Sequence, residues 1–147
     1  MLNRRTLLTA ASTLALVGQA MAASPPLALT LYKTPECGCC DSYADYLRAA
    51  GFAITIKPTN ELADISRKAG VPSALQGCHT AFLDDYVVEG HVPVEAIRKL
   101  LAERPAIKGI VLPGMPEGSP GMSGTKAAPF TIYAIPQDGS PSVFTTI

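Results

Sequence analysis

"TPECGCCDSYADYLRAAG", Thr34 to Gly51, holds three of the chain's four cysteines, Cys37, Cys39 and Cys40, directly ahead of a helical pattern. Tyr43, Tyr46, Leu47 and Ala50 recur at helical spacing from Asp41 to Ala50, and Gly51 supplies the stop. Just upstream, "LALTLYK", Leu27 to Lys33, is apolar and rich in β-formers, a buried strand broken by Thr34-Pro35-Glu36. A strand, then thiols, then a helix puts the sulfurs where free backbone N–H groups and the positive helix end favour thiolate.

Downstream, Phe52 to Lys57 alternates as a strand does, and Glu61 to Ala69 is a short helix ended by Gly70. "HTAFLDDYVVEG" reads as two strands around Asp84-Asp85. Val94 to Arg104 is a helix with Ala96, Ile97, Leu100 and Leu101 on one face, opened by Pro93. The order β-α-β-α-β-β-α, one βαβ half and one hairpin-helix half, predicts an α/β, thioredoxin-like fold. Two further segments depart from that plan. "GIVLPGMPEGSPGMSG", Gly109 to Gly124, reads as a long Gly/Pro loop, and "FTIYAIPQDGSPSVFTTI" as a C-terminal hairpin turning at Asp138-Gly139. A loop of that length is usually functional or disordered.

The chain has 147 residues, 48% of them apolar, which fits one domain with a packed core. Twelve basic residues balance twelve acidic ones, so nothing marks a nucleic-acid partner. "MLNRRTLLTAASTLALVGQAMAA" carries Arg4 and Arg5, a short apolar run from Leu7 to Val17, and Ala20-Met21-Ala22. This predicts a cleaved export signal over residues 1–22, by the Sec or twin-arginine route, and a single domain over 23–147. The run is too short for a convincing membrane span, so no stable anchor is expected.

Export outside the cytosol favours oxidised or ligated thiols. A structural disulfide with stray thiols is the plain reading, but three such close cysteines make poor staples. A Cys39–Cys40 bridge would be a strained vicinal ring, and a Cys37–Cys39 bridge is also tight. The fourth cysteine lies in "GCHT", Gly77 to Thr80, just before the third strand. In a thioredoxin-like sheet that strand end faces the first helix's N-terminus, so Cys78 is expected near Cys37, Cys39 and Cys40. His79 and His91, the only two histidines, fall in the same region, and Met115 and Met122 frame "MPEGSPGM". Thiolates, thioethers and imidazoles select copper, zinc or iron–sulfur. Structural zinc sites use separated ligand pairs, and iron–sulfur clusters need four well-spaced cysteines. Close thiolates can bridge several Cu(I) ions, which points to copper.

"YKTPECGCCDSY", "GVPSALQGCHTAFLDDYVVEGHVP", "IRKLLAERPAIKGIVLPGMPEGSPGM" and the final hairpin resemble the CopG-type proteins of bacterial copper resistance, long filed as a domain of unknown function. The resemblance spans nearly the whole chain after the export signal. It implies a periplasmic thioredoxin-like protein binding copper through Cys37, Cys39 and Cys40, with Cys78, His79, His91, Met115 and Met122 as further candidate ligands. A role in copper redox chemistry and contact with other periplasmic copper-handling proteins go with it. Two alternatives stay open. One is a thiol–disulfide oxidoreductase using Cys37 and Cys40, with Val71-Pro72 as candidate cis-proline. The other is a metallochaperone passing copper on by ligand exchange.

Overall fold

The computed structural model describes residues 25–147. The expected export signal over 1–22 lies outside the described residues. Alternating burial along β1 (Ala28–Lys33) turns Leu29, Leu31 and Lys33 inward. α1 (Gly38–Ala49) covers that face with Cys40, Tyr43, Ala44 and Leu47, and β2 (Ala53–Pro58) runs parallel beside β1. α2 (Leu62–Lys68) and a 3₁₀ turn (Ser73–Leu75) lead into β3 (His79–Leu83) and β4 (Tyr86–Glu89). β3 pairs antiparallel with both β1 and β4. α3 (Val94–Glu103) buries Ala96, Ile97 and Leu100, and ends where Arg104 turns left-handed.

These elements follow the expected chain order β-α-β-α-β-β-α and form a sheet in the order β2-β1-β3-β4, which three more strands extend. β5 (Ile107–Val111) lies parallel to β4, followed by the antiparallel hairpin β6 (Thr131–Pro136) and β7 (Ser142–Thr146). The fold class and the terminal hairpin agree with the sequence reading. β5 does not, because its second half falls inside the expected Gly/Pro loop. Gly109 explains the disguise. A Cβ there would lie 1.9 Å from the Val87 carbonyl oxygen, so this strand tolerates only glycine at its closest approach to β4.

One core packs α1 and α3 against Leu29, Leu31, Ala81, Leu83, Val88, Ile110 and Ile132. A smaller cluster holds Val71, Val87, Val111 and Ile135 together. Leu47 and Leu100 are fully buried, and each contributes about 1.5–3 kcal/mol by leaving water. This packing sets the N-terminal turn of α1 against the start of β3, where Cys40 meets Cys78.

Candidate metal centre

α1 starts three residues earlier than its apolar spacing predicts, with Cys37 as N-cap. Cys39 and Cys40 therefore sit within the helix's first turn. No side chain caps that turn. Its anchor comes instead from Lys33, whose buried ammonium donates to the Pro35 carbonyl at 3.2 Å, the Cys37 carbonyl at 3.0 Å and Asp41 Oδ2 at 3.1 Å. A buried lysine with charged and carbonyl partners is far costlier to unpair than an exposed one. Lys33 thus fixes the strand-to-helix turn that presents the sulfurs.

Cys78 meets them from the start of β3, as expected. Its Sγ is 3.3 Å from Cys40 Sγ and 3.7 Å from Cys39 Sγ, and Cys39 Sγ is 3.4 Å from Cys37 Sγ. The four sulfurs lie within 4.8 Å of one another. Cys37 and Cys40 form a disulfide, and Cys39 and Cys78 are free thiols. Cys40 is fully buried, the other three half-buried.

His79 and His91 complete the cluster. Both are fully buried, and with Cys78 they form a second group of donors within 4.8 Å. Their orientations follow from the backbone. His79 Nε2 lies 3.0 Å from the Gly90 carbonyl, so that nitrogen carries the proton and donates. Its bare Nδ1 then faces Cys78 Sγ at 3.7 Å. In His91 the roles are reversed: Nδ1 donates to the Pro120 carbonyl at 2.6 Å, and bare Nε2 faces Cys78 Sγ at 3.5 Å. A carbonyl on the far nitrogen of an imidazole is the arrangement that orients a metal ligand. Burial, with the neighbouring His91 adding to it, lowers His79 to about 3. Burial lowers His91 too, so both rings are neutral at pH 7.

Tyr43 forms the wall beneath. Its ring stacks on His79 at 4.8 Å and tilts against His91 at 5.2 Å, while its hydroxyl donates to the Val92 carbonyl at 2.8 Å. Glu89 lies behind Cys78. Its Oε1 accepts the Gly77 N–H at 2.6 Å, and its Oε2 has no hydrogen-bond partner among the described residues. Burial raises its carboxyl to about 7, the Gly77 N–H offsetting part of that. Burial also pushes the Cys78 thiol up to about 12, with the adjacent Cys39 adding to it. A cation placed among the sulfurs would reverse that penalty.

The Gly/Pro loop folds back over this cluster. The His91–Pro120 bond pins it, and Gly121 packs on the first turns of α1. A Cβ at Gly121 would lie 2.6 Å from Tyr43 N and 2.9 Å from Cys39 O, and its φ is +81°. Met122 follows, half-buried, whereas Met115 is 36% exposed at the loop surface. The contacts that tie the cluster together include neither thioether. The sequence reading misses Lys33, Glu89 and the aromatic role of Tyr43. The signal for Lys33 is a charge in the inward register of β1, and for Glu89 a charge in the fully buried run of β4.

Two observations bear on the oxidoreductase alternative. The Val71–Pro72 bond, the candidate cis-proline of that alternative, is trans. The residue set against the Cys37–Cys40 pair from the β3 side is Cys78, a further sulfur. No helix among the described residues is long and apolar enough to cross a membrane.

A comparison with curated protein sequences returns no significant match. A sequence family described as a protein of unknown function, DUF411, matches residues 75–122, from the 3₁₀ turn through Met122. Two solved structures of a copper resistance protein, copG, superpose with TM-scores of 0.77 (form 2) and 0.76 (form 1). Each is 36% identical to this chain, and each match covers 83% of it and 98% of the other. With that identity across nearly the whole of those structures, and the same fold, the chain belongs to the CopG family.

Proposed function

We propose that this protein binds Cu(I) in the periplasm as part of copper resistance, holding one or more ions between the thiolates of Cys37, Cys39, Cys40 and Cys78. The observation that carries the reading is the pair of neutral imidazoles. Each is fixed by a backbone carbonyl, with its bare nitrogen aimed at Cys78. An ordinary disulfide site has no use for two such lone pairs. Four sulfurs within 4.8 Å can bridge soft ions, and the imidazoles add borderline donors on the inner side. Copper resistance in the related copG proteins supports copper as the cargo.

To free all four sulfurs the Cys37–Cys40 bridge is first reduced by an external dithiol, which supplies two electrons and two protons and is itself oxidised to a disulfide. Binding then releases thiol protons, since the thiolate is the ligand. Lys33 keeps the turn in place through this change, and the Gly121 contact keeps the loop over the site. The test is anaerobic metal analysis of reduced protein, with competition against a strong Cu(I) chelator. Replacing Cys37, Cys39 and Cys40 together by Ser is expected to abolish high-affinity binding. A triple variant that competes as well as the wild type sinks the proposal.

A further inference from the structure

Each free thiol lies against a different sulfur of the bridge: Cys39 against Cys37 at 3.4 Å, and Cys78 against Cys40 at 3.3 Å. Disulfides exchange when a thiolate attacks one sulfur along the line of the bond and expels the other. Contact distance removes the search, and because the sulfurs all lie within 4.8 Å of one another a turn of the Cys78 side chain is still needed to reach that line. The two contacts are not equivalent. Attack of Cys39 on Cys37 would close a tight ring across a single residue. Attack of Cys78 on Cys40 joins β3 to α1, with no such ring and with both sulfurs already in contact. The departing group also favours this direction. Cys37 is the N-cap of α1, where the positive helix end favours a leaving anion.

We propose that the site carries out an internal thiol–disulfide exchange, in which Cys78 displaces Cys37 from Cys40 and the bridge moves to Cys40–Cys78. The Cys37–Cys40 bond breaks and the Cys40–Cys78 bond forms. The electron pair leaves on Cys37 Sγ, and the proton given up by Cys78 ends there. No oxidant or reductant is consumed. The new bridge lies on the floor of the site and ties α1 to β3. Cys37 and Cys39 are left as a half-buried dithiol at the mouth, able to hold one soft monovalent cation between two thiolates. The exchange therefore moves the free thiol pair of the oxidised protein from Cys39 and Cys78, 3.7 Å apart beside the imidazoles, to Cys37 and Cys39 at the mouth. The inference uses the same sulfurs as the copper reading but needs no copper, so the two can fail separately.

The test uses metal-free protein carrying Cys39→Ser, oxidised to a single disulfide and held without added thiol at mildly alkaline pH. Because burial raises the Cys78 thiol, equilibration is allowed for hours. Acid quenching freezes exchange, and peptic digestion with mass spectrometry reads the linkage. A Cys37–Cys40 bridge stays within one peptide, whereas exchange cross-links the Cys40 peptide to the Cys78 peptide and leaves the free thiol on Cys37. We expect the cross-linked form to reach about a tenth or more of the protein, given two sulfur pairs of similar chemistry. Adding Cys78→Ser gives the baseline without exchange. Absence of the Cys40–Cys78 link above that baseline, in protein whose single disulfide is verified by mass, overturns the proposal.

Discussion

Replacing Glu89 by Gln should stabilise the metal-free protein at neutral pH and leave it unchanged in acid. The carboxyl is fully buried, accepts one N–H from Gly77, and has an oxygen with no partner. Ionising it there is unfavourable, which raises its pKa from 4.5 to about 7. Between those values the folded state holds a proton that the unfolded chain has released. The contribution of Glu89 to stability therefore falls as pH rises from 4.5 to about 7, and it does not return above that range. A shift of this size corresponds to about 3 kcal/mol at 1.36 kcal/mol per unit. The glutamine side chain of E89Q would keep an acceptor for the Gly77 N–H while carrying no charge at any pH. Its amide N–H would face Thr80, the cross-strand partner in the β3–β4 register.

The assay is urea unfolding of metal-free, bridged wild type and E89Q from about pH 4 to pH 8.5. We expect E89Q to be more stable by about 2–3 kcal/mol at the alkaline end and equal to wild type near pH 4.5. Buried neutral His79 adds an opposite limb. Its pKa is depressed from 6.5 to about 3, so its contribution is complete above 6.5 and is lost as pH falls toward 3. That limb is common to both proteins and cancels in the difference. Two parallel stability curves, offset by a constant, would refute the assignment of a raised carboxyl at Glu89.

Two further outcomes follow from the loop. Gly121→Ala places a methyl against the backbone of α1 at a positive φ, and should cost about 2–4 kcal/mol in thermal or urea unfolding. An unchanged midpoint would mean the loop does not rest on the helix. Met122→Leu should weaken Cu(I) binding in chelator competition while Met115→Leu does not, because Met122 adjoins the contact with α1 and Met115 sits at the surface. Equal affinity in all three proteins would remove both methionines from the site.

Strand order alone places Cys78 beside Cys37, Cys39 and Cys40, because a β-α-β-α-β-β-α chain can close its sheet in few ways. The start of α1 is not legible in the same way, since its first turn has neither apolar spacing nor a capping side chain. Its anchor is Lys33, eight residues before Asp41, and a tertiary ion pair leaves no local signature. β5 is hidden because Gly109 reads as a loop residue, although it is demanded by the Val87 carbonyl across the sheet. The histidines are visible in the sequence as residues but not as oriented donors, since their orientation depends on two carbonyls, at Gly90 and Pro120.

The Pro120 carbonyl links the parts of the site into a single device. His91 cannot present Nε2 to Cys78 unless Nδ1 is held by the loop, and the loop cannot approach unless Gly121 clears the backbone of α1. The stretch that reads as a long connection is therefore a structural part of the candidate metal centre. It supplies the acceptor that sets one imidazole's tautomer and covers the first turn of the cysteine helix. Gly90 does the same for His79 from the opposite side. Two main-chain carbonyls, from different loops, thus convert two buried histidines into convergent lone pairs around one sulfur. A site needed only to make and break a disulfide would gain nothing from that convergence, whereas a site that holds a soft cation would.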